Sequence, residues 1–575
     1  MKKFFGIIKT LVLAIGIYGC SDSFLEVPPQ NGLNQATLGS PAGLDAALIS
    51  AYSMLDGWNA DWNAGPWGGQ QSNWGFGDIM SDDANKGTES TDGVEWETLE
   101  TFTWSPLEGL FNAKFIMDYE AISRANAAIK LANEVQGVSE EVKAQAIAEA
   151  RFLRGYFYMD LYKMFKNVPY YTEEDNFFKK PNVDENGNYI EIIGNIKADL
   201  QAAADVLPNT QPQVGRATKG AALAFLGKAQ LWNKEYAAAK ASFDQVVNSG
   251  VYALQDCYRS LWTYSGENGS GGKRESIFAF QASINDGTGD AENSVFTDRL
   301  TFPHAGSPFA CCGFRQPSQA FVNAFRVDAN GLPDFDNLYN GTVDFDSEPV
   351  DPRLDFIVQR LGVPVLDWDM PYTLDWVRAP SYGGEFMNKK IMYNESDPTS
   401  TTSWTNTQLS GINIHLMRYA DVLLMLAEAE VEAGTLDRAR DLVNMVRARA
   451  GNCAQGPTGT LWINDIEDAA ITWADYEVGQ YASFPDADYA RRAIRWERRL
   501  ELGMEGHRFF DLRRWGIAKE VMDGYVAYEK QFRTHYNKYA GYTEPKHNLY
   551  PIPQNQIDLS AVDGVPQLKQ NPGYE

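Results

Sequence analysis

What most constrains this chain is a spacing of small and large apolar residues. In ATKGAALAFLGKAQLWNKEYAAAKASFDQVVNS, residues 217–249, Leu226-Gly227 is followed twelve residues after the glycine by Ala239 and four later by Phe243. The same intervals recur in residues 416–450, where Leu426-Ala427 precedes Ala439 and Val443. Small residues at these points let two helices approach closely, and the large ones fill the gap between them. The pattern therefore predicts helical hairpins, each with one apolar side left uncovered.

This is the spacing of tetratricopeptide helix pairs, which are stable only when stacked on neighbours. Helical periodicity is also strong at residues 110–166, read as two helices, and at residues 488–515. Because the repeats are dispersed, residues 250–415 must loop away and return. That segment is rich in Gly, Asn, Asp, Ser, Pro and aromatics, and reads as irregular loops with a few short strands. Residues 56–108 have the same character. Long irregular loops within a large domain are more often functional than incidental.

The chain opens MKKFFGIIKTLVLAIGIYGC, with basic Lys2 and Lys3, an apolar stretch, and Ile-Tyr-Gly-Cys at its end. It is too short and too interrupted for a membrane span. It reads as a lipoprotein signal over residues 1–19, with Cys20 as lipid anchor and residues 20–35 as a tether. Its removal takes three lysines, shifting the formal charge from −26 to −29. So acidic a surface disfavours nucleic acid and anionic polymers, and favours neutral partners recognised at short range.

Residues 56–108 hold Trp58, Trp62, Trp67, Trp74, Trp96 and Trp104 among Gly, Asn and Asp. A sugar needs such a mixture, because its C–H face stacks on a ring while its hydroxyls bond to amides and carboxylates. Most of these tryptophans are expected to pin loops to the helices, with at least one in a ligand site. In RRAIRWERRLELGMEGHRFFDLRRWG, arginines alternate with Glu497, Glu501, Glu505 and Asp511, which reads as structural ion pairing; His507 is read as structural too. DANGLPDFDN, residues 328–337, lacks the spaced glutamate of a calcium loop and reads as a tight turn. No metal or cofactor motif is present. With 76 acidic residues, a glycosidase carboxylate pair is neither legible nor excluded.

Beyond Cys20 the cysteines are Cys257, Cys311, Cys312 and Cys453. Outside the cytoplasm disulfides persist, so Cys311 and Cys312 are bonded to each other, bonded to Cys257 or Cys453, or free. Bonded to each other, they would form a rigid apolar plate on a loop.

The lipobox with CSDSFLEVPP, the run RYADVLLMLAEAEVEAG, the run RWERRLELGMEGHRFFDLRRWG, and the ending LYPIPQNQI…QNPGY together resemble SusD/RagB-type outer-membrane lipoproteins of Bacteroidetes. The resemblance spans the whole chain. It implies a mainly α-helical single domain, residues 36–575, with four tetratricopeptide-like helix pairs supporting a loop-rich ligand face. It further implies a surface-exposed, non-enzymatic glycan-binding protein, seated as a lid on a SusC-type TonB-dependent transporter.

The resemblance places the ligand site in the early loop, after GDIMSDDANKG, and in the middle insertion. The expected contacts are stacking on Trp96 and on a Cys311–Cys312 plate, with hydrogen bonds from Asp61, Asn63, Asp78, Asp83 and Arg378. Fructan is the first expectation for the sugar and α-glucan the second. The competing readings are a surface glycosidase and a peptide-binding repeat scaffold.

Overall fold

The computed structural model describes residues 39–57, 66–175, 180–267, 269, 274–284, 293–304, 306–398, 400 and 409–575. The signal segment 1–19, Cys20, the tether 20–35, Trp58, Asp61, Trp62 and Asn63 lie outside the described residues.

The chain is mainly helical. Helix α1 is Pro41–Tyr52, α2 Val94–Glu100, α3 Gly109–Glu134 and α4 Glu140–Met164. Then come α5 Ile193–Val206, α6 Lys219–Trp232 and α7 Tyr236–Asn248. After the irregular segment follow α8 Tyr419–Ala433, α9 Leu436–Ala450, α10 Ala487–Leu502, α11 Arg508–Arg514 and α12 Ala518–Glu529.

Local chemistry sets these boundaries. Ser139, Thr218, Thr435 and Asp486 each cap a helix by accepting a hydrogen bond from the backbone N–H three residues on, a contribution of about 1 kcal/mol apiece. The small-residue spacing works as anticipated. A Cβ on Gly227 would lie 2.5 Å from the Phe243 ring, so α6 and α7 meet at a distance only glycine permits. Each helix from α3 to α9 packs on the next, and α10 closes the stack against α8 and α9. Helix α7 thus rests on α8 although the whole 250–415 segment separates them in sequence.

The intervening segments supply short antiparallel pairs. Strand β1 (Ala84–Gly87) pairs with β3 (Phe314–Pro317), with Gly87 opposite Phe314. Strand β2 (Ser276–Phe280) pairs with β6 (Ile414–Arg418), and two-residue pairs join β4 (Val358–Gln359) to β5 (Met387–Asn388) and β7 (Ala454–Gln455) to β8 (Trp462–Ile463).

The arginine-rich α10 is structural, as its composition suggested. Arg353 of the insertion reaches Glu497 at 2.6 Å and Glu501 at 2.9 Å, while Arg418 reaches Glu275, Glu501 and Glu505 at 3.0, 2.6 and 2.8 Å. Buried networks of this kind fix position more than they add stability. They clamp the irregular segment to the helices, and the Cys257–Cys453 disulfide does so covalently across a separation of 196 residues. That pairing does not stand out in the sequence, because nothing local links the two positions. Asp328 accepts from the Asn330 and Leu332 backbone N–H groups at 2.8 and 3.0 Å, which makes DANGLPDFDN a closed turn.

Candidate functional site

The β1–β3 pairing brings together the two segments in which the sequence places an expected ligand site. At the end of β1, Thr88 donates its N–H to the Gly313 carbonyl at 2.6 Å, so the loop 88–93 lies against the Cys311–Cys312 turn. Cys311 and Cys312 are paired with each other. A third segment arrives when His304 donates its N–H to the Trp376 carbonyl at 2.9 Å, placing the 375–382 loop alongside.

Arg378 ties this face together. Its guanidinium donates to Asp92 at 2.5 Å, to Glu89 at 2.6 Å and to the Thr88 hydroxyl at 3.3 Å. Thr88 in turn donates to Asp92 at 3.1 Å. Thr88 sits at φ 51°, a strained conformation for a β-branched residue, of the kind that collects at binding sites.

Beneath the loop, fully buried Lys86 donates to the carbonyls of Glu89 at 2.8 Å and Asp92 at 2.7 Å. Burial lowers its pKa, although the Glu100, Glu97 and Asp92 carboxylates oppose this. Its ammonium lies 4.8 Å from the ring centre of half-buried Tyr382, which donates to Glu97 and packs on His535 at 4.5 Å. Burial, with Arg378 close by, lowers the pKa of His304. Thr88, Glu89, Asp92, Lys86, His304 and Tyr382 are not among the contacts expected from the sequence. Thr88, Glu89 and Asp92 directly follow GDIMSDDANKG, which contains Lys86, and Tyr382 stands four residues after Arg378, so the segments were marked although the residues were not; His304 carried no signal.

Three expected contacts need correction. Trp96 is 1 % exposed, packed on Trp74 at 4.6 Å and on Phe76 at 6.1 Å, with its ring against Gly75 and under Gly93. It has no free face and is the floor of the 88–93 loop, not a sugar platform. Asp78 is fully buried; it accepts from the Gly506 N–H at 2.9 Å and pairs with Arg315 at 3.0 Å. Burial pushes its pKa up to about 7 against the pull of Arg315. Asp83, also fully buried, pairs with Arg499 at 2.7 Å. Burial raises its pKa even so, and its neighbour Asp82 is held by Arg499 and Arg508. These carboxylates fasten the loop segment to α10 and α11 and cannot reach a ligand without breaking that union.

Among the described residues, Arg378 is therefore the expected contact that lies open on this face. Cys311 and Cys312 adjoin it but are 8 % and 7 % exposed. Of the tryptophans in residues 66–108, Trp74, Trp96 and Trp104 are buried; Trp67 is half-buried and stacks on Phe296 at 5.1 Å. Among the described residues no His, Cys, Asp and Glu cluster could hold a metal ion. No described helix is long and apolar enough to cross a membrane.

Comparison with known proteins agrees with this architecture. Residues 274–574 match the SusD family, and residues 23–231 match a family described as starch-binding and associating with the outer membrane. A SusD-like protein P2 of Formosa agariphila is 25% identical over 601 residues, covering 100% of both chains. A SusD superfamily structure from Bacteroides vulgatus superposes with a TM-score of 0.69 at 23% identity, covering 93% of this chain and 99% of that one. A laminarin-binding SusD-like protein gives 0.65 at 22% identity, with 93% and 99% coverage. With more than half its length matched by the family and the overall fold in common with these structures, the chain belongs to the SusD family.

Proposed function

We propose that this protein captures a neutral oligosaccharide or polysaccharide at the outer-membrane surface and makes or breaks no covalent bond. The observation that carries this reading is the convergence of three loops on Arg378. There a guanidinium and two carboxylates are held in fixed positions by buried Lys86 and Thr88 and by the β1–β3 pair. Such a face offers donors and acceptors to sugar hydroxyls with little reordering on binding. Both Glu89 and Asp92 are engaged by Arg378, which suits binding better than acid–base work on a glycosidic bond.

In this reading Asp61 and Asn63 are further hydrogen-bonding residues for the sugar, the Cys311–Cys312 turn shapes one side of the site, and half-buried Trp67 is the stacking candidate of its stretch. Cys20 carries the lipid anchor. A SusC-like TonB-dependent transporter receives the glycan from this protein, which acts as its lid. The starch-binding family description and the laminarin-binding relative put α- and β-glucans beside fructan as the sugars to compare.

Isothermal titration of the purified protein with levan, starch and laminarin tests the reading. Heat with at least one of them, lost in Arg378→Ala, supports it. Silence with every neutral glycan overturns it, and release of reducing ends from the bound glycan would replace it with a hydrolase.

A further inference from the structure

The helical side carries a groove that glycan capture does not use. It lies between the α6–α7 turn, the second half of α8, the first half of α10 and the end of α11, and encloses about 220 Å³. Leu231, Val431 and Ile494 supply apolar lining, and Tyr236 and Trp515 supply aromatic rings.

Its charge is opposite to that of the molecule. Lys234, Arg491, Arg495 and Arg514 line it against only Glu428 and Glu432, in a chain whose net charge is −26. Both glutamates are already engaged. Arg514 takes Glu428 at 2.5 and 2.8 Å, and Arg491 takes Glu432 at 2.7 and 3.0 Å. Arg495 is half-buried, with its guanidinium 5.1 Å from the Trp515 ring centre and no carboxylate contact among the described residues. Burial lowers its pKa, and Glu428 opposes this only in part. A half-buried guanidinium without a carboxylate is the arrangement an incoming anion improves most, through a charge-assisted and bidentate contact.

The lining also selects the kind of anion. Trp515 already has the guanidiniums of Arg495 and Arg514 within 5.1 and 4.8 Å of its centre, so it is no open platform for an acidic sugar. The aliphatic lining instead suits a side chain. We propose that this groove receives an aspartate or glutamate side chain, flanked by an aliphatic residue, from a segment of a partner protein. The acidic remainder of the surface repels such a segment, so it would be steered to this island.

The test uses the full chain and two fluorescein-labelled peptides, acetyl-Gly-Leu-Glu-Leu-Gly-amide and its Gln counterpart, followed by anisotropy. The Glu peptide should bind at least about fivefold more tightly than the Gln peptide, and the difference should shrink with added salt. Arg495→Gln should erase the preference and Arg495→Lys should keep part of it, with melting temperatures showing that each variant is folded. Lys234→Glu, at an exposed position, should weaken the Glu peptide independently. Equal binding of the two peptides, or a preference that survives Arg495→Gln, overturns the proposal. So does oligogalacturonate binding more tightly than the peptide in an Arg495-dependent way.

Discussion

Arg378 and Asp92 meet at 2.5 Å across two loops that are 286 residues apart in sequence. The pair is partly exposed, with side-chain exposures of 31% and 36%, so solvent screens it and it adds little to stability. Its consequence is geometric, because it holds the 88–93 and 375–382 loops at a fixed distance. Arg378→Ala should leave the melting temperature within a degree or two while weakening glycan binding at least about tenfold. Calorimetry on the folded variant reads both. A large loss of stability with unaltered affinity would mean that the pair is a structural clasp.

Trp96 should behave in the opposite way. Its ring is buried among Trp74, Phe76 and Gly75, so Trp96→Ala opens a cavity costing about 3–5 kcal/mol. Denaturant unfolding should show that loss. Glycan affinity should fall only as far as the 88–93 loop loosens, which hydrogen exchange of that loop would register.

The Cys257–Cys453 bond closes a loop spanning 196 residues of separation. Replacing both cysteines with serine should lower stability by about 2–5 kcal/mol, since the unfolded chain regains the freedom of that loop. Reduction should lower the melting temperature of the wild type by more than that of the double variant, which keeps only the Cys311–Cys312 pair.

Two histidines make the fold sensitive to mild acid. Burial pushes His507 and His415 each down to about 4. Charge partners already surround both sites: Asp421, Glu505 and Lys228 influence His507, while Arg418, Glu505 and Lys390 influence His415. Between pH 4 and about 6.5 the unfolded chain binds protons at these histidines that the folded chain does not. The contribution of these histidines to stability should therefore be full above pH 6.5 and be lost as pH drops towards 4, while buried Asp78, whose raised pKa lets the folded chain take up a proton below about 7, works in the opposite direction. Melting temperatures of wild type and His507→Gln at pH 7, 5.5 and 4.5 isolate the histidine part, and the variant should lose less stability than wild type between pH 7 and 4.5.

The helical stack could be read along the chain because its rule is local. Gly227 and Phe243, or Ala427 and Val443, lie within one hairpin, and their spacing alone states how closely the two helices approach. Helix α5, Ile193–Val206, is not among the helices expected from the sequence, because its apolar stripe of Ile193, Ile196, Leu200 and Ala203, though correctly spaced, is short. The arginine–glutamate alternation of α10 showed ion pairing but not its partners, Arg353 and Arg418, which come from distant segments.

The candidate ligand face was legible in part. The sequence marked the early loop and the middle insertion, and the fold joins them through β1 and β3. It could not tell which residues face outward. Trp96, Asp78 and Asp83 have the residue types of a sugar site, yet packing and Arg315 and Arg499 draw them inside, while Glu89 and Asp92 come to the surface beside Arg378, above buried Thr88. Periodicity and capping, which act over a few residues, were determined by the sequence by itself. Burial, disulfide partnership and the meeting of Arg378 with Asp92 were decided by tertiary structure alone, because each depends on which distant segments share one volume.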